Sequence, residues 1–241
     1  MVRRLIDIVL SIIGLVVIVP VLALAAVGIF LSDPGPIFYR ARRVGLNGRQ
    51  FCLYKLRTMY INQGSFSNAI TSQSDPRVFR FGAWLRRLKI DELPQLLNIL
   101  KGDMSIIGPR PEDPTIVEKY YLPEHFETLS RLPGLASPGS IYNYTHGEEF
   151  LRGDEIERIS AERLLPIKLA LDTVYIRDAT IVYDMRLCIR ALWAITCTAL
   201  GKTQFSDPPE LTKAIQVRTQ PAIQSTHVPA ELVTLHGGRK L

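Results

Sequence analysis

The spacing of apolar and polar positions divides the chain into an uncharged leader, a mixed middle and a polar end. From Ile8 to Ser32 the run IVLSIIGLVVIVPVLALAAVGIFLS carries no charge. A stretch of more than about 20 such residues is long enough to enter a bilayer as a helix. Pro20 falls near its middle and removes the hydrogen bond to the Val16 carbonyl, which predicts a kink. Each half then holds about 12 residues, roughly 18 Å of helix, too short for a hydrocarbon core of about 30 Å. Arg3 and Arg4 precede the run and Arg40, Arg42, Arg43, Arg49, Lys55 and Arg57 follow it. Basic residues mark the cytoplasmic side, so a re-entrant helix-hairpin, entering and leaving on one face, satisfies both clusters. A straight spanning anchor is the alternative. The run is longer than a signal peptide and lacks a small-residue cleavage site, so it is expected to be retained.

After Ser32 the period shortens. Phe38-Tyr39 and Phe51 to Tyr54 are β-prone and flank Asn47-Gly48, which predicts a hairpin with basic residues on it. Tyr60 to Asp75 is polar and reads as a surface loop. Phe79 to Leu88 has apolar residues at helical spacing beside Arg80, Arg86 and Arg87, a basic amphipathic helix. Leu93, Leu96, Leu97 and Leu100 recur at i, i+3, i+4 and i+7, predicting a helix with one buried face, Pro94 in its first turn and Lys101-Gly102 at its end. Thr115 to Leu132 is predicted helical, LPGLASPGSIYNY a turn-rich loop, and Glu148 to Arg177 a helix interrupted at Pro166. Thr180 to Leu200, with Trp193 and Tyr183, is an apolar helix that is either buried or lies in a membrane interface. Its charges Asp184, Arg186 and Arg190 argue against a second span. Past Gly201 the sequence turns Pro/Gln/Thr-rich and reads as a disordered or partner-packed tail without assigned chemistry.

The architecture that follows is α+β and mainly helical, in three parts. Residues 1–32 form the membrane helix-hairpin, 33–200 a small cytoplasmic, membrane-associated domain with amphipathic interfacial helices, and 201–241 the C-terminal tail.

Composition narrows the partners. The chain has 241 residues, 47% of them hydrophobic, enough for a buried core. Its 29 Lys+Arg against 23 Asp+Glu leave +6, suited to nucleic acid, acidic lipid or a phosphorylated substrate. Cys52, Cys188 and Cys197 are odd in number and widely spaced, which excludes a disulfide framework and a C-x-x-C metal site. His125, His146, His227 and His236 lack metal-ligand spacing.

Candidate chemistry gathers in IDELPQLLNILKGDMSIIGPRPED, Ile90 to Asp113. Asp91 and Glu92 stand at a helix start, where backbone N–H groups and the positive end of the dipole converge. Acidic residues there are ordinary caps. Their company raises the interest: Arg86 lies just upstream, and Arg110 is held extended between Pro109 and Pro111, suited to two-pronged phosphate binding. Carboxylates, cations and a membrane segment together suggest phosphoryl chemistry at a bilayer surface without naming the reaction.

These segments resemble, in order, the monotopic phosphoglycosyl transferases, a bacterial sugar transferase family. The resemblance rests on the N-terminal hydrophobic segment with Pro20, on DPGPIFYRARRVGLNGRQFCLYKLRTM, on DPRVFRFGAWLRRLKIDELPQLLNILKGDMSIIGPRP, and on LDTVYIRDATIVYDMRLCIRAL, covering most of Leu5 to Leu192. It implies transfer of a sugar-1-phosphate from a UDP-sugar to undecaprenyl phosphate, with release of UMP, a first membrane step of surface glycan assembly. It also implies Mg2+ as cofactor and a place in the bacterial inner membrane, among its lipids, with the catalytic domain on the cytoplasmic face. No nucleic acid partner is expected, and the family allows a homodimer. By the same resemblance Asp91 is the nucleophile, forming a covalent phosphosugar intermediate, and also a metal ligand. Glu92 assists the incoming lipid phosphate or the metal. Arg86 and Arg110 hold phosphates, while Lys55 and Asp172 match family site positions.

The chain departs from the family pattern twice. Val19 stands where a serine often precedes the hairpin proline, so no hydroxyl can bond the freed carbonyls. PGLASPGSIYNYTHGEE replaces a PGITGWAQVNGR-like loop, with Tyr144 near the place of an arginine. The rival readings are a membrane-anchored nucleotide-sugar or lipid-phosphate hydrolase, and a non-catalytic membrane scaffold.

Overall fold

A computed structural model describes residues 2–61, 75–150 and 156–219. Helix α1 (Val2–Ser32) continues as one helix through Pro20. It lays one stripe against the remaining protein: Asp7, Ser11, Ala25 and Ile29 are buried, and Leu15, Ile18 and Leu22 pack between them. Steps of three and four residues keep these positions on one face. Val16, Val17, Leu24 and Leu31 are exposed.

Both ends of α1 are fastened. Arg4 donates to the carbonyls of Ile99 and Leu100 at 2.5 and 3.1 Å. Asp7 accepts from the Ser105 hydroxyl at 2.8 Å and the Ile106 N–H at 3.1 Å. At the far end Arg57 pairs with Asp33 and donates to the Pro36 carbonyl at 2.6 Å.

The predicted hairpin forms from β1 (Phe38–Val44) and β2 (Gln50–Leu56), antiparallel, with Phe38 opposite Leu56 and Val44 opposite Gln50. Asn47 and Gly48 take positive φ in the turn, 53° and 79°, a conformation those two residues tolerate. The basic helix α2 (Arg80–Arg87) follows.

The leucine-striped segment differs from its prediction. It is a 3-10 helix over Ile90–Gln95 followed by a short α3 (Leu96–Lys101), closed by Gly102 at φ 90°. Leu96 and Ile99 are buried, yet Leu97 is 43% exposed and Asn98 is fully buried. A 3-10 turn advances about three residues per turn rather than about 3.6, so the phase set by Leu93 does not carry into α3. Asn98 faces inward because its amide binds the β2 backbone, donating to the Cys52 carbonyl at 2.7 Å and accepting from the Tyr54 N–H at 3.0 Å. That pairing ties the Asp91-Glu92 segment to the strand that carries Lys55.

Strand β3 (Ser105–Ile107) pairs in parallel with β4 (Gly134–Ala136). Between them lie α4 (Pro114–Tyr120) and a 3-10 stretch, Pro123–Ser130. The expected turn-rich loop is instead β4 followed by α5 (Pro138–His146). Ser137 accepts from the Ser140 N–H at 2.9 Å and Ser140 accepts from the Ser137 N–H at 2.7 Å, a reciprocal cap with Pro138 in the first turn that starts the helix. A short α6 (Ile156–Ile159) leads through a π-turn into α7 (Leu165–Asp178), the most buried helix, with Leu171 and Tyr175 at its core. Pro166 sits in the first turn of α7.

Helix α8 (Ile181–Ala199) buries Leu187 and Ala194 and leaves Val182, Met185, Ile189 and Leu192 exposed. In the segment expected to be disordered or partner-packed, α9 (Leu211–Thr219) packs on α7 of its own chain, with Ala214 buried. Most of the expected surface loop, 62–74, and the chain end, 220–241, lie outside the described residues.

Candidate active site

The site is set by a reversal of the chain. Lys89 adopts the left-handed conformation, φ 58° and ψ 18°, which ends α2 and turns Asp91 and Glu92 inward. Both carboxylates are buried, 5% and 6% exposed.

Their surroundings differ. Arg110 grips Glu92 from the segment after β3, Nη2 to Oε1 at 2.8 Å and Nη1 to Oε2 at 3.4 Å. Lys55, from β2, donates to the same Oε1 at 3.0 Å, and Lys89 Nζ stands 3.8 Å from it. Burial works to raise the Glu92 carboxyl, but the charges of Arg110, Lys55 and Lys89 outweigh it and hold Glu92 well below the usual range. Glu92 in turn raises Arg110.

Among the described residues Asp91 has one cation within 4 Å, Lys55 Nζ at 3.9 Å from Oδ2, with Lys89 and Arg86 acting on it from farther away, while Oδ1 is buried and makes no hydrogen bond. Burial raises its carboxyl, and the Glu92 charge adds to that against the pull of Lys55. A buried polar atom without a partner is costly. Oδ1 is therefore the atom of the pair left for a ligand or an electrophile.

Arg86, on α2, donates to the Thr58 hydroxyl at 2.8 Å and acts on Asp91 through its charge. Asp172, on α7, accepts from the Gly139 N–H at 2.8 Å and the Arg110 N–H at 3.4 Å. It holds the backbone that presents the Arg110 fork, and burial pushes its carboxyl up to about 6. Thus Asp91, Glu92, Lys55 and Arg110 converge, Arg86 flanks them, Asp172 stands behind, and Pro20 is exposed on α1.

Among the described residues no group of three or more His, Cys, Asp or Glu is placed to cage a metal. Mg2+ commonly takes one or two carboxylates and completes its shell with water and substrate phosphates. The unshared Asp91 Oδ1 fits such an ion, whereas both Glu92 oxygens already face cations.

The profile of the family described as bacterial sugar transferase matches residues 1–198. The chain belongs to that family. Curated proteins similar to this transferase include the UDP-glucose:undecaprenyl-phosphate glucose-1-phosphate transferase of Caulobacter vibrioides, 34% identical over 199 residues, 81% of this chain and 70% of that one. A protein of the same name from Escherichia coli K12 is 34% identical over 187 residues, 77% of this chain and 38% of that one. The exopolysaccharide production protein PSS of Rhizobium leguminosarum is 34% identical over 191 residues, 77% of this chain and 90% of that one. The transferase therefore spans most of the Rhizobium relative but well under half of the Escherichia coli one.

Sequence reasoning missed two contributors to the candidate site, Thr58 and Lys89, and named Tyr144 only as a departure from the family loop. Thr58 orients Arg86. Lys89 adds a third cation at Glu92, and Tyr144 packs its ring under Lys89. Lys89 stands directly before Ile90-Asp91-Glu92 and could have been noticed as a neighbouring charge. Its left-handed backbone and its contact with α5 have no local signature.

Proposed function

We propose that this transferase moves a sugar-1-phosphate from a UDP-sugar to undecaprenyl phosphate, giving undecaprenyl-diphosphate-sugar and UMP, as a first membrane step of surface glycan assembly. The observation that carries the reading is the unequal state of two adjacent buried carboxylates: Glu92 is held by cations and Asp91 keeps an unbonded oxygen. The donor and acceptor are those in the names of the Caulobacter and Escherichia coli relatives.

In the first step the Asp91 carboxylate attacks the β-phosphorus. The bond from that phosphorus to the bridging oxygen breaks, its electron pair leaves with UMP, and the sugar phosphate stays on Asp91 as a mixed anhydride. In the second step an oxygen of undecaprenyl phosphate attacks the same phosphorus and releases the Asp91 carboxylate. No proton is consumed, and splitting the transfer lets a soluble donor and a lipid acceptor use one site in turn. Glu92 fixes Arg110 and Lys55, whose remaining N–H groups face phosphate oxygens, and Arg86 adds charge on the Asp91 side. Asp91, with Glu92 beside it, would hold Mg2+, which when bound would neutralise charge at the phosphate oxygens.

For the membrane, the support comes from α1. Arg4 and Asp7 at its start, Leu15 and Ile18 midway, and Ala25, Ile29 and Asp33 at its end all touch the same domain. A straight span would carry one end out of reach of a domain confined to one side, so α1 is read as re-entrant, with the catalytic domain on the cytoplasmic face of the inner membrane. The exposed stripe Val182, Met185, Ile189 and Leu192 on α8 suits a helix lying in the headgroup layer.

The test is UMP release by purified protein with Mg2+, undecaprenyl phosphate and a panel of UDP-sugars. Lipid-dependent UMP from one donor, a phosphosugar mass on the peptide holding Asp91, and loss of both in Asp91→Asn are expected. UMP without lipid would mean a hydrolase, and cellular function retained by Asp91→Asn would mean a scaffold. A cysteine placed before Arg3 should label from the cytoplasmic side; periplasmic labelling would sink the re-entrant reading.

A further inference from the structure

We propose that Lys89 is a further phosphate-binding residue of this site, taking the diphosphate of the nucleotide-sugar, and that Tyr144 is the residue that positions it. The inference rests on the transfer reaction above.

The cations of the site are not equally committed. Arg110 and Lys55 are hydrogen-bonded to Glu92 at 2.8 and 3.0 Å and Arg86 to Thr58 at 2.8 Å. Lys89 Nζ stands off Glu92 at 3.8 Å, and its side chain is 28% exposed. Its ammonium is therefore near the carboxylates and, standing off Glu92, has N–H donors to give.

Its position is built by another element. The Tyr144 hydroxyl, from α5, donates to the Arg87 carbonyl at 2.6 Å, which fixes the ring over the end of α2. Lys89 Nζ lies 4.7 Å from the centre of that ring, a cation–π contact that orients an ammonium without using up its N–H donors in strong bonds. The left-handed backbone at Lys89 would be met at lower cost by glycine, and nothing about that turn requires a long cationic side chain. A diphosphate brought up to Asp91 adds negative charge beside two buried carboxylates, and Lys89 is a further cation positioned to answer it.

The experiment measures UDP affinity of the full chain by calorimetry, with KM and kcat for the active UDP-sugar and a melting curve for each variant. Lys89→Met is expected to weaken UDP by about 10- to 100-fold, the range for a lost charged hydrogen bond, and to raise KM far more than it lowers kcat. Lys89→Arg should restore affinity close to native. Tyr144→Leu should weaken UDP by about 3- to 5-fold, and should add nothing in the Lys89→Met background, since a positioning residue acts only through the group it positions. Native UDP affinity in Lys89→Met, or full additivity of the two changes, would overturn the proposal while leaving the transfer reaction standing. A native chain that neither binds UDP nor releases UMP would overturn both.

Discussion

Arg110 closes both terminal guanidinium nitrogens on Glu92, at 2.8 and 3.4 Å, while the Asp91 carboxylate one residue earlier keeps an oxygen with no partner. The two acids share a buried turn and differ in which cations reach them and how closely. That asymmetry is what supports the proposal that Glu92 holds the site and Asp91 reacts.

Replacing Arg110 by lysine keeps the charge and removes the fork. Arg110→Lys is expected to lower UMP release at least about 10-fold, the lower end for a lost charged hydrogen bond, with donor KM raised. Unchanged kinetics would show that the fork has no part in the site.

As the proposed nucleophile, Asp91 would have to be ionised to attack phosphorus. Burial and the Glu92 charge raise its carboxyl and Lys55 opposes them, so the acid limb of the pH–rate profile should lie above the ordinary carboxylate range of about 4. Lys55→Met removes a group that favours the ionised form and should move the limb to higher pH. Glu92→Gln removes a like charge and should move the limb of its residual activity lower. Shifts in the opposite directions would contradict the assignment.

Asp172 offers a stability test. Burial raises its carboxyl to about 6, against about 3.9 in an unfolded chain. The folded state then binds the proton more tightly, so the contribution of this group is full below about pH 4 and is lost as pH rises through about 6. The unfolding free energy of the native protein minus that of Asp172→Asn should fall from about pH 4 to about pH 7 and level off above. A difference that is flat across that range would refute the raised value.

Arg57 is 7% exposed and binds Asp33 and the Pro36 carbonyl just past α1. Arg57→Ala leaves these groups without their partner and should cost about 3 kcal/mol, as for a broken buried pair, read as a lower melting temperature in detergent. A neutral result would mean that the Asp33–Pro36 turn is held by packing alone.

The β1–β2 hairpin, α2 and α8 were legible because each depends on signals within a few residues: Asn47-Gly48 in a turn, or apolar positions at helical steps. Helix α5 was misread although its Ser137-Pro138-x-Ser140 cap was in plain sight, because glycine and proline around it mimic a loop. The Asn98 inversion was not legible at all, since its cause is a strand more than 40 residues upstream.

By itself the sequence determined the uncharged leader, the basic balance, the local elements and the residue types able to do phosphoryl chemistry, because periodicity, charge and turn chemistry are properties of neighbours along the chain. Only the tertiary structure decided which carboxylate is held and which is left free, that Asp172 braces the Arg110 backbone, and that Lys89 rests on Tyr144. Those outcomes depend on distance and burial between segments remote in sequence, and a charge acquires its chemical role from what surrounds it once water has been removed.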